Sequence, residues 1–339
     1  MEQGLHIAFS PNKAKYLCVA DAILNAIREG RLTRGTQLPS INELSETHLL
    51  SRDTAEKAYK ELRRQGILES VKGKGYFITR VDVDTPLRIL LVFNKISNYK
   101  RDIYNAFVHT LGLNASVDLQ IHHSNLPLFE NLINNSLGAY DYYVIMPHFY
   151  TQPDRVLEIL ARIPPQELIL LDKDLPDCTQ KFAAVYQDFE HDIYEALEEA
   201  LEALTRYKRL IYVNPNLTPY PEEIRKGFQR FCRMHDFEHA ILEGMDTDTI
   251  VSRGEAYLVI EETDLAALIR TCRHRNMEIG RDVGILSYNE TPLKEILLDG
   301  ITVISTDHSC MGRLTAGLIL EKKSRYIKNP FTLIRRKSL

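Results

Sequence analysis

No apolar run in the sequence approaches the length needed to span a bilayer, and the opening MEQGLHIAFS lacks the basic segment and apolar stretch of a secretory leader. A soluble, cytoplasmic protein with no membrane partner is expected. Cysteine is scarce: Cys18, Cys178, Cys232, Cys272 and Cys310 are scattered, odd in number and never in C-x-x-C spacing, so neither a disulfide framework nor a paired-thiol zinc site is indicated. They read as reduced, mostly buried thiols. A Ser-His-Asp arrangement and a nucleophile elbow are also missing. The Gly73-x-Gly75 pair precedes a strand and lacks the third glycine and helix of a dinucleotide site. Net charge is small, −4, but uneven: residues 1–80 carry 13 Lys+Arg against 9 Asp+Glu, and the remainder 29 against 37. A polyanion, if bound, belongs at the front of the chain.

The 339 residues, 44% of them hydrophobic, exceed one ordinary core and suggest a small domain followed by a larger, two-lobed one. From Lys13 to Glu29, Leu17, Ala20, Ile23, Leu24 and Ile27 recur at helical spacing, and Gly30 supplies the stop. Ser40 and Glu43 have the spacing of a capping box, which opens a short second helix through Leu44. Ser51 caps a third, with Ala55, Ala58, Tyr59 and Leu62 on one face and Arg52, Thr54, Lys57 and Lys60 on the other. Residues 67–71 and 76–79 flank Lys72-Gly73-Lys74-Gly75, the chemistry of a β-hairpin turn with two lysines at its tip. Three helices and a basic hairpin make a winged helix. Its third helix suits the width of the major groove, and its Gly-rich tip lets the backbone approach phosphate. Winged helices also serve as protein-binding modules, and a basic helix face is often only solvated.

In residues 13–79 the ordered segments LPSINEL (38–44), SRDTAEKAYKELRRQGILES (51–70) and GKGYF (73–77) resemble the GntR family of DNA-binding domains. The resemblance implies that double-stranded operator DNA is met by Ser40, Asn42, Ser51, Arg52, Thr54 and Lys57, and by the wing residues Lys72, Gly73, Lys74 and Tyr76. Asn42 stands where the family often has Arg, and Glu56 occupies a commonly basic position of the recognition helix; both bear on the operator sequence.

Residues 80–86, RVDVDTP, form a short polar linker between a domain at 1–79 and one at 87–339. In the latter, apolar strands at 88–93, 118–123, 142–147, 167–172, 209–213, 256–261, 283–288 and 301–305 alternate with amphipathic helices. That rhythm predicts an α/β fold with parallel sheets, divided into lobes at roughly 87–187 and 188–306 with C-terminal crossovers, and a ligand outside the strands' carboxyl ends. By that rule Asn94, Lys95 and His148 are cleft candidates.

The segments IRKGFQRF (224–231) and GRDVGILSYNETPLKEILLDGITVIS (280–305) resemble the LacI/GalR type of periplasmic-binding-protein-like domain. A GntR head on this body resembles arabinose-responsive repressors. The likeness implies a homodimeric, sugar-sensing regulator without a cofactor, its effector a monosaccharide of the L-arabinose or L-fucose type held by Asp188, Arg225, Glu262 and Asn289. Asp188 and Asn289 have bland alternatives as loop caps or turn residues. Two other function classes stay open: a winged helix fused to an enzyme body, aminotransferase-like or hydrolase, and a DNA-binding dimer with a vestigial cleft. His235-x-x-Glu238-His239 matches an inverted zinc-peptidase pattern, but it straddles a change from helix to strand that would separate the ligands.

Overall fold

The computed structural model describes residues 5, 7, 9, 14–81, 86–175, 182–215, 220–246 and 249–339. It divides into two compact units, residues 1–87 with 112–116 and residues 88–111 with 117–339. The expected start of the first helix at Lys13, the middle of the linker (82–85) and Cys178 lie outside the described residues.

In the first unit α1 (Lys15–Arg28) buries Val19, Ala20, Ile23, Leu24 and Ile27, and Gly30 takes the left-handed conformation just beyond its end. A two-residue strand, β1 (Gln37–Leu38), precedes α2 (Ile41–Thr47). The capping box forms: Ser40 Oγ accepts from the Glu43 N–H, and Glu43 accepts from the Ser40 N–H at 2.7 Å. Ser51 caps α3 (Arg52–Arg64), whose Ala55, Ala58, Tyr59 and Leu62 are buried. β2 (Leu68–Val71) and β3 (Gly75–Ile78) form the hairpin, and β1 pairs antiparallel with β3. Two residues are too few to show an alternating pattern in sequence, so β1 is legible only through its pairing. It ties the wing to the helices, with Gln37 Nε2 donating to the Lys74 carbonyl at 2.7 Å.

The second unit runs β4 (Leu87–Phe93), α4 (Asn98–Leu111), β5 (Ala115–Ile121), α5 (Leu126–Ser136), β6 (Tyr142–Ile145), α6 (Pro153–Leu160), β7 (Leu168–Asp172) and β8 (Ala183–Tyr186). It continues through α7 (Phe189–Glu199), α8 (Leu201–Leu204), β9 (Arg209–Asn214), α9 (Glu222–Met234), β10 (Glu238–Glu243), β11 (Glu255–Val259) and α10 (Glu262–His274). The last elements are β12 (Val283–Tyr288), α11 (Pro292–Ile296), β13 (Thr302–Thr306), α12 (His308–Leu320), β14 (Tyr326–Lys328) and β15 (Phe331–Ile334). Two six-stranded sheets result, in orders β14-β8-β7-β6-β4-β5 and β10-β9-β11-β12-β13-β15. The pairings along β14-β8-β7-β6-β4 and along β10-β9-β11-β12-β13 are parallel; β15 joins antiparallel. Central strands such as Ile89–Val92 and Val283–Leu286 are apolar without alternation because helices cover both faces.

Each sheet is the centre of a lobe, and the chain crosses between them after β8, after β13 and between β14 and β15. Consequently α12 packs on α4 in the first lobe and α7 on α9 in the second. Both contacts need a glycine: a Cβ on Gly312 would strike the Ile103 carbonyl, and one on Gly227 that of Glu190. The three crossings meet at Asn329, which is buried. Its N–H donates to the Tyr186 carbonyl at 2.8 Å, and its Nδ2 donates to Thr306 Oγ1 at 2.7 Å and the Asp307 carbonyl at 2.9 Å.

Candidate nucleic-acid interface and ligand cleft

On the first unit Ser40, Asn42, Ser51, Arg52, Lys57, Lys72, Gly73 and Lys74 are exposed. Arg52 is the first residue of α3, where a side chain can reach a groove floor. Thr54 is tied to the cap, its Oγ1 2.8 Å from Ser51 Oγ, and Lys57 pairs with Asp53 at 2.7 Å. Tyr76 packs inward, its ring centroid 4.7 Å from that of Tyr59.

In the second unit the strand ends converge on a small chamber of about 60 Å³ at the junction of the lobes. Asn94, His148, Asp172, Gln187 and Asn289 enter it from the carboxyl ends of β4, β6, β7, β8 and β12, and Lys100 from the first turn of α4. Phe189, Tyr220 and Tyr288 supply aromatic wall. Asp172 is 9% exposed; its carboxylate accepts from His148 Nε2 at 2.8 Å and from Gln187 Nε2, and lies 3.8 Å from Lys100 Nζ. Lys100 Nζ also donates to Asn94 Oδ1 and contacts Met146 Sδ.

Burial alone would raise the Asp172 carboxyl, but the His148 hydrogen bond, the nearby positive charge of Lys100 and the Gln187 hydrogen bond outweigh it and hold the group below the usual carboxylate range. Burial draws the Lys100 ammonium down to about 8 despite Asp172, and it lowers His148 and His308. At neutral pH the chamber therefore holds the Asp172 carboxylate, the Lys100 ammonium and two uncharged imidazoles, with Lys95, also lowered by burial, as a second lysine in its wall. Asn289, 7% exposed and at φ 62°, turns at the end of β12 on an Asx-tolerated left-handed conformation. Lys294 Nζ fixes that turn by donating to the Tyr288 and Asn289 carbonyls, each at 2.8 Å. The buried Asn289 Oδ1 has no hydrogen-bond partner among the described residues.

Of the residues singled out from sequence, Asn94, Lys95, His148 and Asn289 line this chamber. Glu262 lines a larger adjoining cavity, and its carboxylate meets the Tyr99 hydroxyl at 3.4 Å. Asp188 and Arg225 line neither. Asp188 is the N-cap of α7, accepting from the His191 N–H, while its neighbours Gln187 and Phe189 face the chamber; Arg225 is held by Glu222 one turn earlier on α9. Sequence reasoning missed Asp172 and Gln187, which the strand-end rule reaches as readily as Asn94. It also missed Lys100, Tyr220, Tyr288 and Lys294, for which no local pattern exists. The zinc-peptidase pattern is split between elements: His235 ends α9 and pairs with Glu198 at 2.7 Å, while Glu238 and His239 are successive in β10 and point to opposite faces.

Beside the cleft, His122 is fully buried, stacked on Phe149 at 4.4 Å, with Nε2 donating to the Met146 carbonyl at 2.9 Å and Nδ1 accepting from the Ser124 N–H at 3.0 Å. Desolvation, the dominant influence, lowers its pKa to about 4. A histidine whose folded pKa lies below its unfolded value of about 6.5 binds its proton only on unfolding between those limits, so stability falls as pH drops from 6.5 to 4. The expected loss from His122 is about 2–3 kcal/mol, and the lowered His148 and His308 act in the same direction. Urea unfolding at stepped pH should show this slope, shallower by about one proton in His122→Asn; an identical slope in the variant refutes the assignment.

The fold and its sites thus define a winged-helix head joined to a two-lobed, cleft-bearing body. Residues 15–78 match the family described as bacterial regulatory proteins, gntR family, and residues 199–339 match the periplasmic binding protein-like domain. The chain accordingly carries a GntR-type helix-turn-helix domain at its N-terminus and a periplasmic-binding-protein-like domain behind it. It is 41% identical over 51 residues to the HTH-type transcriptional repressor YtrA of Bacillus subtilis (strain 168), a match covering 15% of this chain and 39% of that protein. The uncharacterized HTH-type transcriptional regulator YhcF of the same organism is 34% identical over 70 residues, 21% of this chain and 58% of that one. The chain therefore spans well under two thirds of either curated relative. Among solved structures, the trehalose repressor from Escherichia coli aligns with a TM-score of 0.58 at 15% identity, covering 74% of this chain and 100% of that one. The lac repressor dimer bound to operator and the anti-inducer ONPF aligns at 0.62 and 14%, covering 75% and 94%. At such identities the likeness is one of fold. No described helix is long and apolar enough to cross a membrane.

Proposed function

We propose that the protein is a cytoplasmic transcription repressor. Its head binds double-stranded operator DNA as part of a homodimer, and its cleft takes a small neutral sugar that changes operator affinity. The observation that carries this reading is the presence in one chain of an exposed basic helix and wing and of a buried polar chamber at the carboxyl ends of parallel strands. Asp172 pairs with Lys100, and sugar hydroxyls can pair with Asn94, Gln187 and Asn289 beside them. A sugar moiety of the L-arabinose or L-fucose type suits such donors and acceptors.

The test is linkage. A duplex selected from a random pool should bind with clear preference over random DNA. A sugar that raises the melting temperature in a screen of pentoses, deoxyhexoses and hexose phosphates should then change operator affinity by about five- to 150-fold, with operator changing sugar affinity by the same factor. Absence of any duplex preference at moderate salt rejects the DNA reading. A stabilising sugar that leaves operator affinity unchanged rejects the coupling.

A further inference from the structure

The exposed surface of α3 carries charges of both signs, and its other carboxylates are already paired along the helix. Asp53 holds Lys57 at 2.7 Å, and Glu61 holds Arg64 at 2.6 Å. Glu56 stands apart. It is exposed, and among the described residues it has no ion-pair or hydrogen-bond partner. Arg52, one turn earlier on the same strip of the helix, is also exposed and unpaired. The two do not bridge to each other, and a cation placed N-terminal to its carboxylate is the less favourable order for such a pair.

A solitary carboxylate costs nothing in water, but on a helix that enters a DNA groove it is repelled by phosphate and loses hydration. It accepts hydrogen bonds and donates none, so only a donor on the DNA can compensate it. In the major groove the donors are the N4 amino group of cytosine and the N6 amino group of adenine. Adenine places its N7 acceptor beside that amino group, where it opposes the second carboxylate oxygen. Cytosine presents no acceptor on its own edge. One helical turn sets the Cβ atoms of Arg52 and Glu56 about 5–6 Å apart, and successive base pairs rise ~3.4 Å, so the two side chains reach positions about one or two base pairs apart.

We propose that Glu56 is a specificity-determining residue that reads cytosine, its carboxylate accepting a hydrogen bond from the N4 amino group of a base close to the guanine read by Arg52. This rests on the reading of the head as a DNA reader. It assigns opposite preferences to two neighbouring side chains of α3.

Duplexes selected from a random pool by the full chain and by its Glu56→Ala, Glu56→Gln and Arg52→Ala variants locate the contact. The parent consensus should hold a cytosine about one or two base pairs from the guanine that Arg52→Ala ceases to select. Replacing that cytosine should lower affinity about tenfold for the parent and less than about twofold for Glu56→Ala in anisotropy titrations. Glu56→Gln should select adenine there, because an amide supplies both the donor and the acceptor that the N6/N7 edge requires, with the guanine unchanged. A parent consensus without that cytosine, or one that both Glu56 variants leave unchanged, overturns the proposal. So does tighter binding of Glu56→Ala to selected and random duplexes alike, the signature of a carboxylate that only repels phosphate. The DNA reading stands in each of these cases. Loss of the guanine together with the cytosine in Glu56→Ala makes Glu56 a support for Arg52 and overturns direct readout. If the parent selects no duplex over random DNA, the DNA reading itself falls and the proposal with it.

Discussion

Replacing Arg52 by Ala should reduce affinity for a selected operator duplex about thirtyfold or more while leaving the weak affinity for random DNA nearly intact. Each good bidentate contact from a guanidinium to a guanine edge carries ~1–3 kcal/mol of discrimination, and the homodimer proposed above would lose two, or ~2–6 kcal/mol. The geometric basis is the position of Arg52 at the exposed N-terminus of α3, held there by the Ser51 cap and by the buried face of Ala55, Ala58, Tyr59 and Leu62. Lys74, exposed at the wing tip, supplies the contrast: Lys74→Ala should weaken all duplexes alike and reduce the slope of log affinity against log salt by about one per head. Fluorescence anisotropy with the selected and a scrambled duplex, across a salt series, separates the two effects. An Arg52→Ala protein that still distinguishes the duplexes as the parent does would remove α3 from sequence readout.

The largest expected loss of stability follows Asp172→Ala. The substitution leaves the Lys100 ammonium, 8% exposed, without its counter-charge and leaves the Gln187 amide and His148 imidazole without their acceptor. Breaking a buried pair from one side typically costs ~3–5 kcal/mol, because the remaining charge is still desolvated. Removing both charges in Lys100→Met/Asp172→Ala should recover at least half of that loss. The sequence contains no Trp but 17 Tyr, so circular dichroism and tyrosine fluorescence in urea are the suitable probes. If Asp172→Ala unfolds within 1 kcal/mol of the parent, or the double variant is no better than the single one, the pair does not hold the cleft as described.

The winged helix was legible because its signals are local. Ser40 with Glu43, Ser51 with Thr54, and Gly73 in the hairpin turn each act within four residues, so the chain declares them in order. The cleft was legible only where a strand ends. Asn94 and His148 follow apolar runs and so announce themselves, whereas Asn289 is reached through family likeness; Asp172 is itself the last residue of an apolar strand. Lys100 and Lys294 could not be foreseen, since a lysine on an amphipathic helix is ordinarily solvated, and their burial depends on Asp172 and on the β12 turn. Asp188 and Gln187 show the precision required. Adjacent side chains beyond β8 point differently, and family likeness selected the one that caps a helix.

The threefold crossing between the lobes has a consequence for synthesis. Ribosomes deliver the chain from its N-terminus, and domains contiguous in sequence can fold as they emerge. The helices and hairpin of the head are such a contiguous run. Neither lobe of the body is: the first waits for β14 and the second for β15, so both sheets gain an outer strand only when residues 326–334 appear. A nascent chain therefore acquires a folded reader of DNA long before it can acquire a finished receptor, and a stalled or prematurely terminated product would retain the first without the second.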